Sequence, residues 1–258
     1  MRSELKKLMH LLSGVSNPML AGLDRLGWRR MPYVLRLRGS GNLMELRPKS
    51  GDLFGFYEIM LRKDYFSAGQ SLGRGDIVID IGANIGCFAV MAANIVGPTG
   101  HVYAVEPEES TYRQLVRNIE LNHLGNITPL KLAVGDTEGI ITLHADTNRL
   151  FSSIFPSVNG HIVTGDDQEV QVTTLEKLMN SYEIHRCNYL KLDCEGAEHR
   201  IVASLSEAAA ARIDQITMEL HKVTGFTGEV LFHRLGDLGY ARVGDSTLPF
   251  YRRAATGQ

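Results

Sequence analysis

From residue 76 onward, apolar runs of strand length alternate with stretches whose apolar residues recur at helical spacing. Ile77-Val78-Ile79-Asp80-Ile81 is almost continuously apolar, the pattern of a parallel strand buried on both faces. Residues 87–96 read as the helix that follows it. Residues 101–106, 127–134, 189–193 and 215–220 predict four further core strands. Pro107 suits a first helical turn; Tyr112, Leu115, Val116 and Ile119 line one face of the helix it opens, and Gly125 is expected to stop it. Residues 140–144 and 169–172 predict shorter strands flanking a polar loop at 146–167. Thr173 and Glu176 have the spacing of a capping box. Helices over 197–205 and 228–238 and a terminal hairpin over 240–243 and 248–252 complete the series. This alternation predicts an α/β fold: a mostly parallel, doubly wound sheet with helices on both faces and ligands at the carboxyl ends of its strands.

The first 53 residues follow another pattern. Leu5, Leu8, Met9 and Leu12 form one helical stripe, and Leu20, Leu23 and Leu26 suggest a second. Residues 33–38 and 43–47 alternate with period two around Gly39-Ser40-Gly41-Asn42, a β-hairpin signal. We therefore expect an N-terminal extension of helices and hairpin over residues 1–53 and one main domain over 54–258 that opens with a helix at 54–70. The extension reads as a packing arm or lid, with a partner-binding helix as the alternative.

Composition narrows the class. The chain has 258 residues, 44% hydrophobic and 22% charged, with a formal net charge of −2. Its charged residues, viewed over the whole length, are spread rather than blocked, so nucleic acid is not expected as the partner. Cys87, Cys187 and Cys194 form no C-x-x-C pair and read as reduced thiols of a cytoplasmic protein. The basic N-terminus has only a short apolar run and no small-residue cleavage site. No signal peptide is expected, and no stretch approaches the length of a membrane span.

Two segments carry the chemistry. Gly82-Ala83-Asn84-Ile85-Gly86 is a glycine-bracketed turn from the first strand into a helix, a place where backbone N–H groups and the helix dipole can cradle a ligand. Its G-x-x-x-G spacing is not the G-x-G-x-x-G of dinucleotide enzymes. Asp80 just before it would repel a pyrophosphate and favours a ligand with a cationic amino-acid end, as in S-adenosylmethionine. Glu106, at the end of the second strand, is placed to accept both hydroxyls of a ribose. Asp136, after Gly135, is either an acceptor for an adenine amine or a simple turn residue. The second segment, Tyr189 to Glu198, is a buried strand ending in Asp193, Glu195 and Glu198 around Gly196. Asp193 at a strand terminus points to the crevice; Glu198 also reads as an acid favoured at a helix start. Glu219 and His221 close the next strand. Asp193, Glu219 and His221 are alternatively a divalent-metal set, although no metal is expected.

At these residues the chain resembles the FkbM family of S-adenosylmethionine-dependent methyltransferases, within the Rossmann-like class I group. The resemblance runs from about Tyr57 to His221. It rests on Ile79-Asp80-Ile81-Gly82-Ala83-Asn84-Ile85-Gly86, Val105-Glu106-Pro107, Ala133-Val134-Gly135-Asp136 and, most narrowly, Leu190-Lys191-Leu192-Asp193-Cys194-Glu195-Gly196-Ala197-Glu198. Ser152-Ser153-Ile154 is similar to the family's serine-rich loop. The resemblance implies a seven-stranded sheet with an antiparallel final strand and the cofactor over the first two strands. It also implies methyl transfer, usually to a hydroxyl of a sugar, glycan or secondary metabolite.

The residues expected to hold the cofactor are Asp80, Gly82, Asn84, Gly86, Glu106, Asp136 and Asp193. Those expected to be catalytic are Asp193, His221, Glu195 and Glu219. His221 or Asp193 would take the acceptor proton while Glu195 and Glu219 orient its hydroxyls. A nicotinamide-dependent oxidoreductase and a non-catalytic binding protein on the same fold are the rival readings. The acceptor, the oligomeric state and the role of the extension have no readable code in the sequence.

Overall fold

A computed structural model describes residues 2–66, 69–145, 152–155, 157–159, 161–162, 167–245 and 248–254. Two helices, α1 (Arg2–Gly14) and α2 (Pro18–Arg25), precede an antiparallel hairpin of β1 (Tyr33–Arg36) and β2 (Leu43–Leu46). A short helix α3 (Asp52–Phe56) then leads into β3 (Ile77–Ile81), α4 (Cys87–Val96), β4 (His101–Val105), α5 (Glu109–Leu121), β5 (Ile127–Leu130) and β6 (Ala133–Gly135). Next come β7 (Gly139–Ala145), three two-residue strands β8 (Ser152–Ser153), β9 (Ser157–Val158) and β10 (His161–Ile162), and the longer β11 (Asp167–Thr174). The chain closes with α6 (Leu175–Ser181), β12 (Tyr189–Leu192), α7 (Glu198–Ser204), α8 (Glu207–Ala210), β13 (Gln215–Met218), α9 (Gly228–Asp237), β14 (Tyr240–Arg242) and β15 (Phe250–Arg253).

The central sheet has seven strands in the order β14-β15-β13-β12-β3-β4-β5. β3 pairs in parallel with β4 on one side and β12 on the other, and β15 runs antiparallel between β13 and β14. This is the Rossmann-like arrangement with one reversed strand. A separate four-stranded sheet, β6-β11-β7-β8, flanks it.

Strand alternation sorts the buried residues onto two faces. Val78 and Tyr189 belong to the core that α4 shares with the N-terminal helices and hairpin. Ile79, Ile81, Leu190 and Leu192 belong to the core on the other face, with α6, α7, α8 and α9. α4 itself is apolar nearly all round, because it is sandwiched between the sheet and the N-terminal segments. The alternation therefore puts Asp80, Lys191 and Asp193 on the α4 face. Register sets Lys191 directly opposite Asp80.

Several expectations need correction. The helix expected at 54–70 ends early. α3 passes into a π-helical stretch (Tyr57–Arg62), Lys63 turns left-handed at φ +59°, and a 3₁₀ turn covers Asp64–Phe66. The breaks swing Tyr65 inward, where it is 2% exposed. The strand expected at 127–134 divides, and its second part pairs with β11 rather than with β4. The helix expected to stop at Gly125 stops at Leu121, with His123 left-handed at φ +52°. The capping residue of α6 is Thr174, which accepts from the Lys177 N–H; Glu176 instead accepts a hydrogen bond from Ser206. Most of the polar loop at 146–167 lies outside the described residues.

Candidate active site

The turn after β3 owes its glycines to the chain's own packing. A Cβ on Gly82, at φ +76°, would lie 1.6 Å from the carbonyl oxygen of Asp193; one on Gly86, at φ +91°, would lie 2.7 Å from Leu115. Both positions combine a left-handed backbone with no room for a side chain. The consequence is that the Gly82–Gly86 turn and the end of β12 are in direct contact. Asn84 at the tip is exposed and left-handed at φ +49°.

Beneath that contact lies a buried charge group. The Lys191 ammonium sits 3.0 Å from Asp80, 3.4 Å from Asp193, and donates to the Gly82 carbonyl at 3.0 Å. Its side chain is 1% exposed and that of Asp80 is 0% exposed. Burial raises the Asp80 carboxyl, an effect the ammonium opposes. Lys191, despite burial, is held protonated by Asp80 and Asp193. Asp80 thus lies inside the protein, turned to Lys191, and not on a crevice wall facing a ligand. Asp193 takes a 2.7 Å hydrogen bond from the Tyr65 hydroxyl. Burial would raise Asp193, but the charges of Lys191 and His221 and the Tyr65 bond hold it below the usual carboxylate value.

Around Asp193 the other predicted residues converge. His221 presents Nε2 to Glu195 at 3.2 Å and Nδ1 to Glu198 at 3.1 Å, with Glu219 at 3.9 Å. Glu198 is fully buried. It accepts the backbone N–H of His221 (2.8 Å) and of Gly196 (2.9 Å), so it is a tether for the imidazole and the loop rather than only a helix-start acid. Burial alone would lower His221, yet the Glu198 hydrogen bond and the surrounding acids raise it to about 10. Burial and three neighbouring acids raise Glu195 to about 8 against the pull of His221. Burial and Asp193 raise the more exposed Glu219 to about 7. Glu195 holds a left-handed φ of +52°, a strained conformation of the kind found at functional loops. Its carbonyl is held by the Ser153 hydroxyl at 2.6 Å.

Glu106 ends β4 beside the glycine turn and is 7% exposed. One of its oxygens takes the Asn84 N–H at 2.9 Å, and the other takes the Glu108 N–H at 3.0 Å. Burial raises it to about 7. Each carboxylate oxygen accepts more than one hydrogen bond, so the pair retains capacity for two hydroxyl donors, which fits a ribose diol. Asp136 follows β6, in the flanking sheet, and faces Arg200 at 3.8 Å.

Asp193, Glu219 and His221 also offer ligand atoms that lie within 4.8 Å of one another. Both ring nitrogens of His221 are already engaged by carboxylates, Nε2 by Glu195 at 3.2 Å and Nδ1 by Glu198 at 3.1 Å, so a cation bound there would have to displace one of them. Lys191 and Ser153 stand in the motifs that the sequence singles out but have no role assigned from sequence, and Tyr65 stands in none of them. Lys191 had a signal: a lysine inside an apolar strand requires an acid partner, and Asp80 is the one acid inside β3. Tyr65 had none, because it reaches Asp193 only through the broken helix. Cys87 and Cys187 are buried free thiols, and burial raises Cys187 to about 12.

The sequence profile of the Methyltransferase FkbM domain matches residues 80–240. The chain is 29% identical over 205 residues to the 31-O-demethyl-FK506 methyltransferase FkbM of Streptomyces tacrolimicus, covering 69% of this chain and 78% of that protein. It is 23% identical over 146 residues to the hexuronic acid methyltransferase AglP of Haloferax volcanii, covering 57% of this chain and 56% of that protein. Among solved structures, Aeropyrum pernix fibrillarin with bound S-adenosyl-L-methionine aligns at a TM-score of 0.45 and 16% identity, over 86% of this chain and 93% of that one. The profile spans the glycine turn, Glu106, the Lys191–Asp193 group and the Glu195–His221 cluster, which lie together at one edge of the central sheet. The chain belongs to the FkbM family of methyltransferases, with S-adenosylmethionine as its methyl donor.

Proposed function

We propose that the protein methylates a hydroxyl oxygen of a sugar, glycan or other small metabolite, with Glu195 as the base. When bound, S-adenosylmethionine supplies a methyl group on a good leaving group. What the chain must add is alignment, for which well-oriented reactions gain about 7–11 kcal/mol, and removal of the acceptor's proton, which contributes about 10²–10⁴-fold. Glu106 would hold the ribose hydroxyls, with Gly82, Asn84 and Gly86 shaping the turn beside it and Asp136 near the adenine. Asp80 acts from behind, through Lys191.

The observation that carries the assignment of the base is the place of Glu195: it lies on a left-handed loop 3.2 Å from the buried His221, with its own side chain 25% exposed and so within reach of an acceptor. A base works best when it titrates near the working pH; burial raises both Glu195 and Glu219 toward it, and Glu195 is the one less open to solvent and nearer to His221, at 3.2 Å against 3.9 Å. His221, protonated below about 10, is the poorer base at neutral pH and serves as a fixed counter-charge. Asp193, held below its ordinary value, is a weak base suited to orienting an acceptor or the cofactor's cationic end. Glu219 remains for orienting acceptor hydroxyls. The sequence reading gave the proton to His221 or Asp193; the charges around them favour their neighbour. An O-methylated product is consistent with the names of the two relatives, one acting at a 31-O position and the other on a hexuronic acid.

The test is a panel of uronic acids, hexoses and polyol metabolites incubated with S-adenosylmethionine, read by S-adenosylhomocysteine release and product NMR. A methyl ether is the expected product. Methylation at nitrogen or carbon overturns the oxygen assignment, and cofactor binding without turnover on any acceptor favours a non-catalytic binding protein.

A further inference from the structure

The charge that looks evenly spread over the whole chain is divided by segment. Residues 1–38 hold eight of the 27 Lys and Arg but only two of the 29 Asp and Glu, a net of +6 in a chain whose total is −2. The remainder therefore carries −8. The same short segment holds six large apolar side chains that are between 57% and 72% exposed: Leu5, Met9, Met19, Leu26, Trp28 and Met31. Leu5 and Met9 are one helical turn apart on α1, and Met19 on α2 is two turns from Leu26, the residue that caps its C-terminus, so each pair shares a helix face. The Glu4–Arg25 ion pair at 2.8 Å joins the start of α1 to the end of α2, which brings Leu5 and Leu26 into the same neighbourhood.

These helices are already anchored without the exposed residues. Leu11, Val15 and Ala21 fill the core from their inner faces. The outer apolar side chains add nothing to that core, and they are interleaved with exposed Lys6, Lys7, Arg25 and Arg30. Basic charge alone would suit nucleic acid; basic charge with outward Trp, Leu and Met suits the headgroup level of a bilayer. No helix among the described residues is long and apolar enough to cross a membrane, so the contact is peripheral.

We propose that the outer surface of α1, α2 and the turn through Met31 docks on an anionic lipid bilayer. Trp28 and the Leu and Met side chains enter the interfacial layer, and the Lys and Arg side chains meet lipid phosphates. The attraction is electrostatic over about one Debye length, about 10 Å at 0.1 M salt, with apolar burial holding the docked state.

Trp28 is the single tryptophan, so its fluorescence reports on this surface alone. The full chain is titrated with vesicles of phosphatidylglycerol mixed with phosphatidylcholine, with pure phosphatidylcholine vesicles, and with duplex DNA. The expected result is a blue shift and co-sedimentation with the anionic vesicles, weakened at least about tenfold at ~0.5 M salt. Leu5→Ser with Met9→Ser, and separately Lys6→Glu with Lys7→Glu and Arg30→Glu, should each weaken binding by about tenfold or more with unchanged circular dichroism. The proposal is overturned by unchanged Trp28 emission with anionic vesicles or by equal binding to neutral ones. It is also overturned by a shift that follows protein concentration without lipid, which marks a second copy, or by binding to DNA alone.

Discussion

Lys191 and Asp80 face each other across neighbouring parallel strands, ammonium to carboxylate at 3.0 Å, both withdrawn from water. The pair is a consequence of register: with β12 and β3 aligned, residues 191 and 80 are partners on the face covered by α4. Removing one partner of a buried pair leaves the other uncompensated, which costs about 3–5 kcal/mol. Lys191→Met should therefore lower stability by about that amount in thermal or urea unfolding. Asp80→Asn combined with Lys191→Met should recover a large part of it. If the double variant is no more stable than Lys191→Met, the ion pair is not what Lys191 contributes.

Tyr65 ties the broken helix to Asp193 through a 2.7 Å hydrogen bond. Bonds to charged groups contribute about 1.5–3 kcal/mol. Tyr65→Phe is expected to lose stability of that order and to lower kcat/KM, since Asp193 is freed to move and its carboxyl rises. Unchanged turnover with unchanged stability would separate Tyr65 from the site.

This contact also shows where sequence ended and structure began. The strands were legible because burial on both faces makes them near-continuous apolar runs, as in β3 and β12. The acids at their ends were legible from position alone, and Asp193, Glu195, Glu219 and His221 do come together. Their electrostatics were not: which group holds a proton depends on Glu198 and Lys191, whose partners are fixed only by register and loop geometry. Asp80 illustrates the limit. Its place at a strand end suggested a ligand, but the lysine opposite turns it inward. Tyr65 was hidden because a π-helical stretch and a left-handed Lys63 interrupt a pattern that reads as one helix.

The charge cluster fixes a pH profile. A base must be deprotonated, so kcat/KM should rise as pH climbs through about 8, where Glu195 loses its proton. It should fall again as His221 loses its charge near about 10. Glu195→Gln should remove the rising limb and cut turnover about 10²–10⁴-fold while S-adenosylhomocysteine affinity changes little. A rising limb that persists in Glu195→Gln would return the base to Glu219, the other acid raised toward neutral pH.

With both His221 ring nitrogens engaged by Glu195 and Glu198, turnover is predicted to be indifferent to chelators. Turnover should be the same after dialysis against EDTA and should not rise with added Mg²⁺ or Mn²⁺. Loss of activity on chelation, restored by either ion, would make Asp193, Glu219 and His221 a metal site.

The cofactor's ribose is predicted to meet Glu106 beside the glycine turn. Isothermal titration of S-adenosylhomocysteine into the wild-type chain and into Glu106→Ala tests this directly. Two hydroxyl bonds to a carboxylate are at stake, so the variant should bind at least about 30-fold more weakly with its fold retained. Equal affinity in the two proteins, or no heat with the folded wild type, would contradict the account.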